Sequence, residues 1–244
     1  FAGGYEDTRI ANGQQAIDLM DRTAGHSDWM VVRPFITETS SCILPTAVVN
    51  QLISGFRAQN GGSNSTPVSV IPGNGLYDQG DFVPLDFACM YAYSLGVDPG
   101  VVGGIATGFD PSTAPNGGEG FYKNLSGNQL PNAPHFTVSL GGQYTMPLSE
   151  TWAGTLRGDF YWQSNSFARV FNDRPYDELH GYTNVNLNLI FANQDGWQAM
   201  VYAKNVLNTA AITGAFLNSD DTGLSTNVFT TDPRLFGIRI TKNW

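Results

Sequence analysis

Four charged side chains interrupt runs that otherwise alternate polar and apolar: Arg157 and Asp159, two positions apart, and Lys204 and Arg239. On an extended chain, residues two apart share a face. Arg157 and Asp159 would therefore stand side by side, and all four would point to the polar side of their strands. Such a set could touch a substrate or an internal partner; a network of paired wall charges is the structural alternative. The other reactive residues form no recognisable machinery. His26, His135 and His180 stand near no nucleophile motif and lack metal-ligand spacing. Gly117–Gly120 is not followed by the Lys and helix of a phosphate loop, and no EF-hand pattern occurs. Asp220-Asp221 could hold a cation or substrate, or be a solvated acidic turn. The sequence thus predicts no enzyme, no cofactor and no metal centre. Cys42 and Cys89 are too few for a disulfide framework. As one pair in an oxidising compartment they could staple a loop; two buried free thiols are the other reading.

The elements that must position these residues follow from composition and period. The 244 residues carry 12 basic against 21 acidic side chains, net −9, which excludes nucleic acid as a partner because that affinity rests on clustered Lys and Arg. Only 14% are charged, whereas 28 Gly and 12% aromatics suit short strands and many turns. No apolar run is long enough for a membrane-spanning helix, and mean hydropathy is −0.17. A transmembrane β-barrel would read the same way, since half of each strand faces a polar lumen. Phe1–Ile10 lacks the features of a signal peptide, so a leader is expected to have been removed or the chain to begin mid-protein.

The chain changes texture near residue 132. Residues 12–132 are irregular, acidic and rich in Gly, Pro, Ser and Asn. Pro45, Val48, Val49, Leu52, Ile53 and Phe56 have helical spacing, and Phe87–Leu95 is a second helix candidate. Tyr77, Tyr91, Tyr93, Phe109 and Phe121 are expected to pack inside this segment. From Ala133 onward the period is two: His135–Thr145, Trp152–Gln163, Asn184–Phe191, Trp197–Lys204 and Leu235–Trp244 each alternate. With Phe1–Ile10 they make six strands. The expected organisation is a strand in 1–11, a long loop in 12–132, and five antiparallel strands in 133–244 with long loops at 170–183 and 207–233.

Three features separate a lipid-facing sheet from a soluble sandwich. Connections alternate: Pro147–Thr151 and Asn193–Gly196 are tight, the others long, as in outer-membrane barrels. Tyr144, Trp152, Phe191, Trp197 and Trp244 gather beside the tight turns, the placement of an interfacial aromatic girdle. The opposite face carries Arg157, Asp159, Lys204 and Arg239. Six strands are fewer than the eight of the smallest common barrels, and open edges in hydrocarbon leave backbone groups unpaired. Further strands are therefore required, from the same polypeptide or another chain.

Three stretches resemble the TonB-dependent outer-membrane receptors. Leu125-Ser126-Gly127-Asn128-Gln129-Leu130-Pro131-Asn132-Ala133-Pro134 resembles the entry to a late barrel strand. Val201-Tyr202-Ala203-Lys204-Asn205-Val206-Leu207-Asn208 is similar to the family's penultimate strand, and Asp232-Pro233-Arg234-Leu235-Phe236-Gly237-Ile238 with the terminal aromatic to its last. The resemblance covers 133–244 and Gly4–Arg9. It implies an all-β fold: the final six antiparallel strands of a 22-stranded transmembrane barrel, with 12–132 as a very long extracellular loop containing short helices. It further implies active uptake of a scarce nutrient (siderophore, cobalamin, haem or oligosaccharide) across a bacterial outer membrane. The implied partners are the rest of the barrel with its plug, the inner-membrane TonB motor acting through that plug, the barrel-assembly machinery, and outer-membrane lipid. Phe236, Ile238, Ile240 and Trp244 match the family's C-terminal assembly signal; Lys242 departs from it. A passive porin-like or surface-binding barrel whose large loop docks a partner is the second reading. An outer-membrane hydrolase is the third, and lacks a base–nucleophile pair.

Overall fold

The structure, a computed structural model, describes residues 1–32, 41–59, 68–71, 75–78, 89, 93, 101–102, 105–217 and 226–243. It is mostly β, with one six-stranded antiparallel sheet. Its strands are β1 (Ala2–Tyr5), β2 (Phe136–Pro147), β3 (Trp152–Gln163), β4 (Tyr182–Asn193), β5 (Trp197–Lys204) and β6 (Leu235–Lys242). They lie in sequence order, each antiparallel to the next. These are the six strands the alternation predicts, with shifted ends. Among the described residues the sheet stays open, and no closed barrel forms.

Register turns the alternation into two chemically distinct faces. One row across the sheet reads Tyr144, Leu156, Leu189, Val201, Ile238; the row beside it reads Met146, Gly154, Phe191, Ala199, Ile240. Since every strand has period two and the registers agree, each apolar set falls on the same side. The other side reads Gln143, Arg157, Asn188, Tyr202, Gly237 in one row and Ser139, Tyr161, Asn184 in another. The apolar face is bare: Leu156 is 52% exposed, Phe236 68%, Ile238 72% and Ile240 69%.

The chain divides into two compact units. The first comprises residues 1–11, 127–216 and 227–244, and the second residues 12–126 with 217–226. The second is more ordered than an irregular loop. Its core joins Val32, Cys42, Leu44, Val48, Val49, Leu52, Cys89, Phe109 and Ala114. Trp29–Val32 pairs with Cys42–Pro45 and, in parallel, with Gly75–Asp78, which pairs with Val68–Ile71. Helix α1 (Thr46–Gln59) follows directly from Pro45 and buries Val48, Val49 and Leu52, spaced as the sequence predicts. Of the second helix candidate, Phe87–Leu95, only Cys89 and Tyr93 lie within the described residues. Cys42 and Cys89 form a disulfide.

Candidate functional site

The polar face of the sheet carries the candidate site. Arg157 and Asp159 meet there in a two-pronged ion pair: Nε donates to Oδ2 at 3.0 Å and Nη2 to Oδ1 at 2.9 Å. Two positions on one strand face bring the fork and the carboxylate into register. Lys204, opposite Leu235, and Arg239, opposite Met200, share the face but sit on β5 and β6. The four predicted wall charges thus resolve into one closed pair and two separate exposed cations.

Beside the pair lies a cleft of about 480 Å³ lined by side chains of β2, β3 and β4 together with Phe1 and Ala2. Three rows of the sheet supply its polar wall: Ser139, Tyr161 and Asn184; Asp159 and Asn186; and Tyr182 next to Gln163. Tyr161 and Tyr182 have ring centroids 5.9 Å apart at 52°. The Tyr161 hydroxyl donates to Gln163 Oε1 at 2.9 Å, while Asn184 Oδ1 is buried without a hydrogen-bond partner. Alternation placed Tyr161 and the asparagines on the polar side, but gave no sign that they enclose a cleft. Neutral polar residues leave no motif, and Tyr182 precedes the predicted start of its strand.

Hydrogen bonds join the stretches that carry the family resemblance. Asn205, 2% exposed and in the left-handed region (φ 47°), donates through Nδ2 to the carbonyls of Thr209 and Asp232. Its Oδ1 accepts from the Thr209 amide, and Asn208 Oδ1 accepts from the Arg234 amide. The residues after β5 and before β6 are thereby held as one clamp. Likewise Asn128 Nδ2 donates to the Val170 and Phe171 carbonyls, and Asn172 Oδ1 accepts from the Gln129 amide. The connection 164–181 is itself built. Ser166–Phe167 pairs with Glu178–Leu179, and Arg169, stacked near Phe171 and Tyr176, forms an ion pair with fully buried Asp177 at 2.5 Å. The last long connection similarly contains the paired strands Ile212–Leu217 and Thr226–Thr230.

The girdle candidates share the apolar face at different depths. Trp152 and Trp197 occupy the outermost row beside the two short turns; Phe191 lies one row in and Tyr144 two. Lys242 joins that outermost row opposite Trp197, with its ammonium 5.2 Å from the Trp197 ring and donating to the Asp195 carbonyl. A lysine on the apolar face is accommodated because its stem lies along that face while its head reaches the turn. Phe236, Ile238 and Ile240 project from that same face of β6. Trp244, like Asp220 and Asp221, lies outside the described residues.

The histidines are held apart in other roles. His135 Nδ1 lies 2.9 Å from the Glu6 carbonyl, His26 stacks on Phe121 at 3.8 Å, and His180 is largely exposed beside Glu178. Among the described residues, no three of His, Cys, Asp and Glu gather as a metal site would require. Comparison with protein-family models, with curated proteins and with solved structures gave no match to the chain.

Proposed function

We propose that the chain forms the last six strands of a large outer-membrane β-barrel of the TonB-dependent receptor kind, most simply of 22 strands, which takes up a scarce nutrient. The observation that carries the reading is the bare apolar face, continuous across the five registered strands β2 to β6. Soluble monomers rarely expose contiguous apolar patches beyond a few hundred Å², whereas acyl chains are the natural solvent for such a face. The dimensions agree. From the Trp162 row to the Trp152 row, β3 advances ten residues, or ~33 Å at ~3.3 Å per residue. Tilted by ~40°, that spans ~25 Å, the height of an outer-membrane apolar band.

The edges of β1 and β6 require neighbours, because unpaired backbone groups in hydrocarbon cost several kcal/mol each. In this reading further strands, a plug and a motor acting on the plug complete the transporter, while the assembly machinery reads Phe236, Ile238 and Ile240. Expression in a Gram-negative host tests it, with the chain placed behind a secretory leader and supplied with the strands that its edges require. The chain is expected in the outer-membrane fraction, with its electrophoretic mobility shifting on heating. A chain that remains dispersed and cooperatively folded in detergent-free buffer overturns the reading. One observation favours a passive barrel that docks a partner instead: residues 12–126 form a core of their own, closed by a disulfide. Uptake that persists after collapse of the inner-membrane proton gradient would select that second reading.

A further inference from the structure

We propose that the cleft on the polar face binds a neutral, polyhydroxylated ligand, that is, a short oligosaccharide. As a step in transport, this rests on the barrel reading above; as binding, it rests on the cleft alone. Charge narrows the chemistry first. The one carboxylate on the wall, Asp159, is closed by the two-pronged contact with Arg157, so the pair presents no net charge. Lys204 and Arg239 lie on β5 and β6, outside the lining, so no unpaired Lys or Arg side chain faces the cleft. A phosphate, a carboxylate or an anionic metal chelate would find no Lys or Arg side chain in the lining to pair with, and burying an unpaired charge is costly. A cation would have to displace Arg157 from its forked partner.

What the wall does offer is hydroxyl, phenol and carboxamide groups: Ser139, Tyr161, Tyr182, Asn184 and Asn186. Each carboxamide both donates and accepts, which matches a sugar hydroxyl that does the same. Asn184 Oδ1 has no hydrogen-bond partner but is closed to solvent, so it meets a ligand only once its carboxamide turns toward the cleft. The two tyrosine rings, inclined at 52° with centroids 5.9 Å apart, give an apolar surface for the C–H face of a sugar ring. The cleft volume, about 480 Å³, falls in the range of small-ligand sites. An apolar wall with a few converging polar groups is how such sites set orientation. Here the polar groups are neutral and numerous, and that selects for hydroxyls.

The test uses the full chain folded in a zwitterionic, sugar-free detergent. It is titrated calorimetrically with maltohexaose, cellohexaose and xylohexaose, and with ferric citrate as the anionic comparator. At least one hexasaccharide should bind at millimolar concentration or below, and ferric citrate should not. Tyr161→Ala and Tyr182→Ala should each weaken binding about tenfold, the loss of one stacking partner. Gln198→Ala, on the same face but outside the lining, should leave it unchanged. Heat-shifted mobility of every variant checks that it is folded. Tyr161→Phe, which keeps the ring, should weaken binding less than Tyr161→Ala. The proposal is overturned if no hexasaccharide binds, if binding ignores both tyrosine truncations, or if ferric citrate binds in their place. Should the chain fold in plain buffer instead, the same titration is run there. The membrane reading then falls, while the cleft is judged on its own result.

Discussion

Asn205 shows how much one side chain can organise. It is buried, adopts a left-handed backbone conformation that Asn tolerates better than most residues, and makes three side-chain hydrogen bonds to the main chain on both sides of a long connection. Asn205→Ala would remove these bonds; the Thr209 carbonyl keeps the Thr231 hydroxyl and the exposed Asp232 carbonyl meets water, so the loss is about 1 kcal/mol for each bond removed. The expected outcome is a lower unfolding midpoint in urea, with faster proteolysis in 205–234 than in 148–151. Equal protection of both segments would show that the clamp is not held by this residue. Tyr93 gives a pH-dependent counterpart. Its hydroxyl donates to the Ile43 carbonyl at 2.6 Å, and burial raises its pKa well above the usual tyrosine value. The folded state therefore keeps the phenol proton where the unfolded chain loses it. That contribution is complete below about pH 10, the unfolded value, and is lost as pH rises toward the folded one. Tyr93→Phe should flatten this part of the alkaline stability curve, read as the difference between the two proteins in urea unfolding above pH 10. A difference that does not change with pH refutes the linkage.

At the scale of elements, two closures can be tested separately. In the turn between β4 and β5, Gly196 has φ 84°, and a Cβ there would stand 2.4 Å from the Asn243 carbonyl oxygen. Gly196→Ala combines backbone strain with a clash against main chain that cannot rotate away. It should loosen the pairing of β5 with β6, seen as faster amide exchange at Gln198 and Met200, whose amides face β6, while β2 and β3 stay protected. The disulfide closes the 47-residue separation between Cys42 and Cys89. By loop-closure entropy such a link is worth about 4 kcal/mol. Cys42→Ser with Cys89→Ser should therefore speed exchange throughout α1 and leave the six-stranded sheet unaffected; unchanged exchange in α1 would refute this.

The six strands were legible because a half-polar strand writes its face into every second residue, and α1 because Val48, Val49 and Leu52 keep helical spacing. The sheet around Trp29–Val32 was not. Its strands are four residues each, too short to show a period, and one pairing is parallel and distant in sequence. The cleft was hidden for a related reason. Tyr161, Tyr182, Asn184 and Asn186 meet only through register across two strands, and nothing in either strand alone fixes which residues lie opposite.

For the whole molecule, the deciding quantity is the sign of one substitution. Leu156 lies near the middle of β3 on the apolar face and is half exposed. If that face meets water, Leu156→Arg replaces an exposed apolar side chain with a solvated cation, and stability should stay within about 0.5 kcal/mol while solubility improves. If it meets acyl chains, the same arginine sits near the bilayer midplane and should cost about 2–4 kcal/mol. Ile240→Arg, one row nearer the short turns, should cost less, because the penalty falls toward the interface. Asn188→Arg, on the opposite face and in the Arg157 row, should be nearly silent in either solvent. Folding free energies of the three variants in short-chain phosphatidylcholine vesicles therefore give an ordered series, Leu156 above Ile240 above Asn188. A soluble sheet gives three values near zero. Any order that places Asn188 first would mean that the polar face, and not the apolar one, is turned toward the lipid.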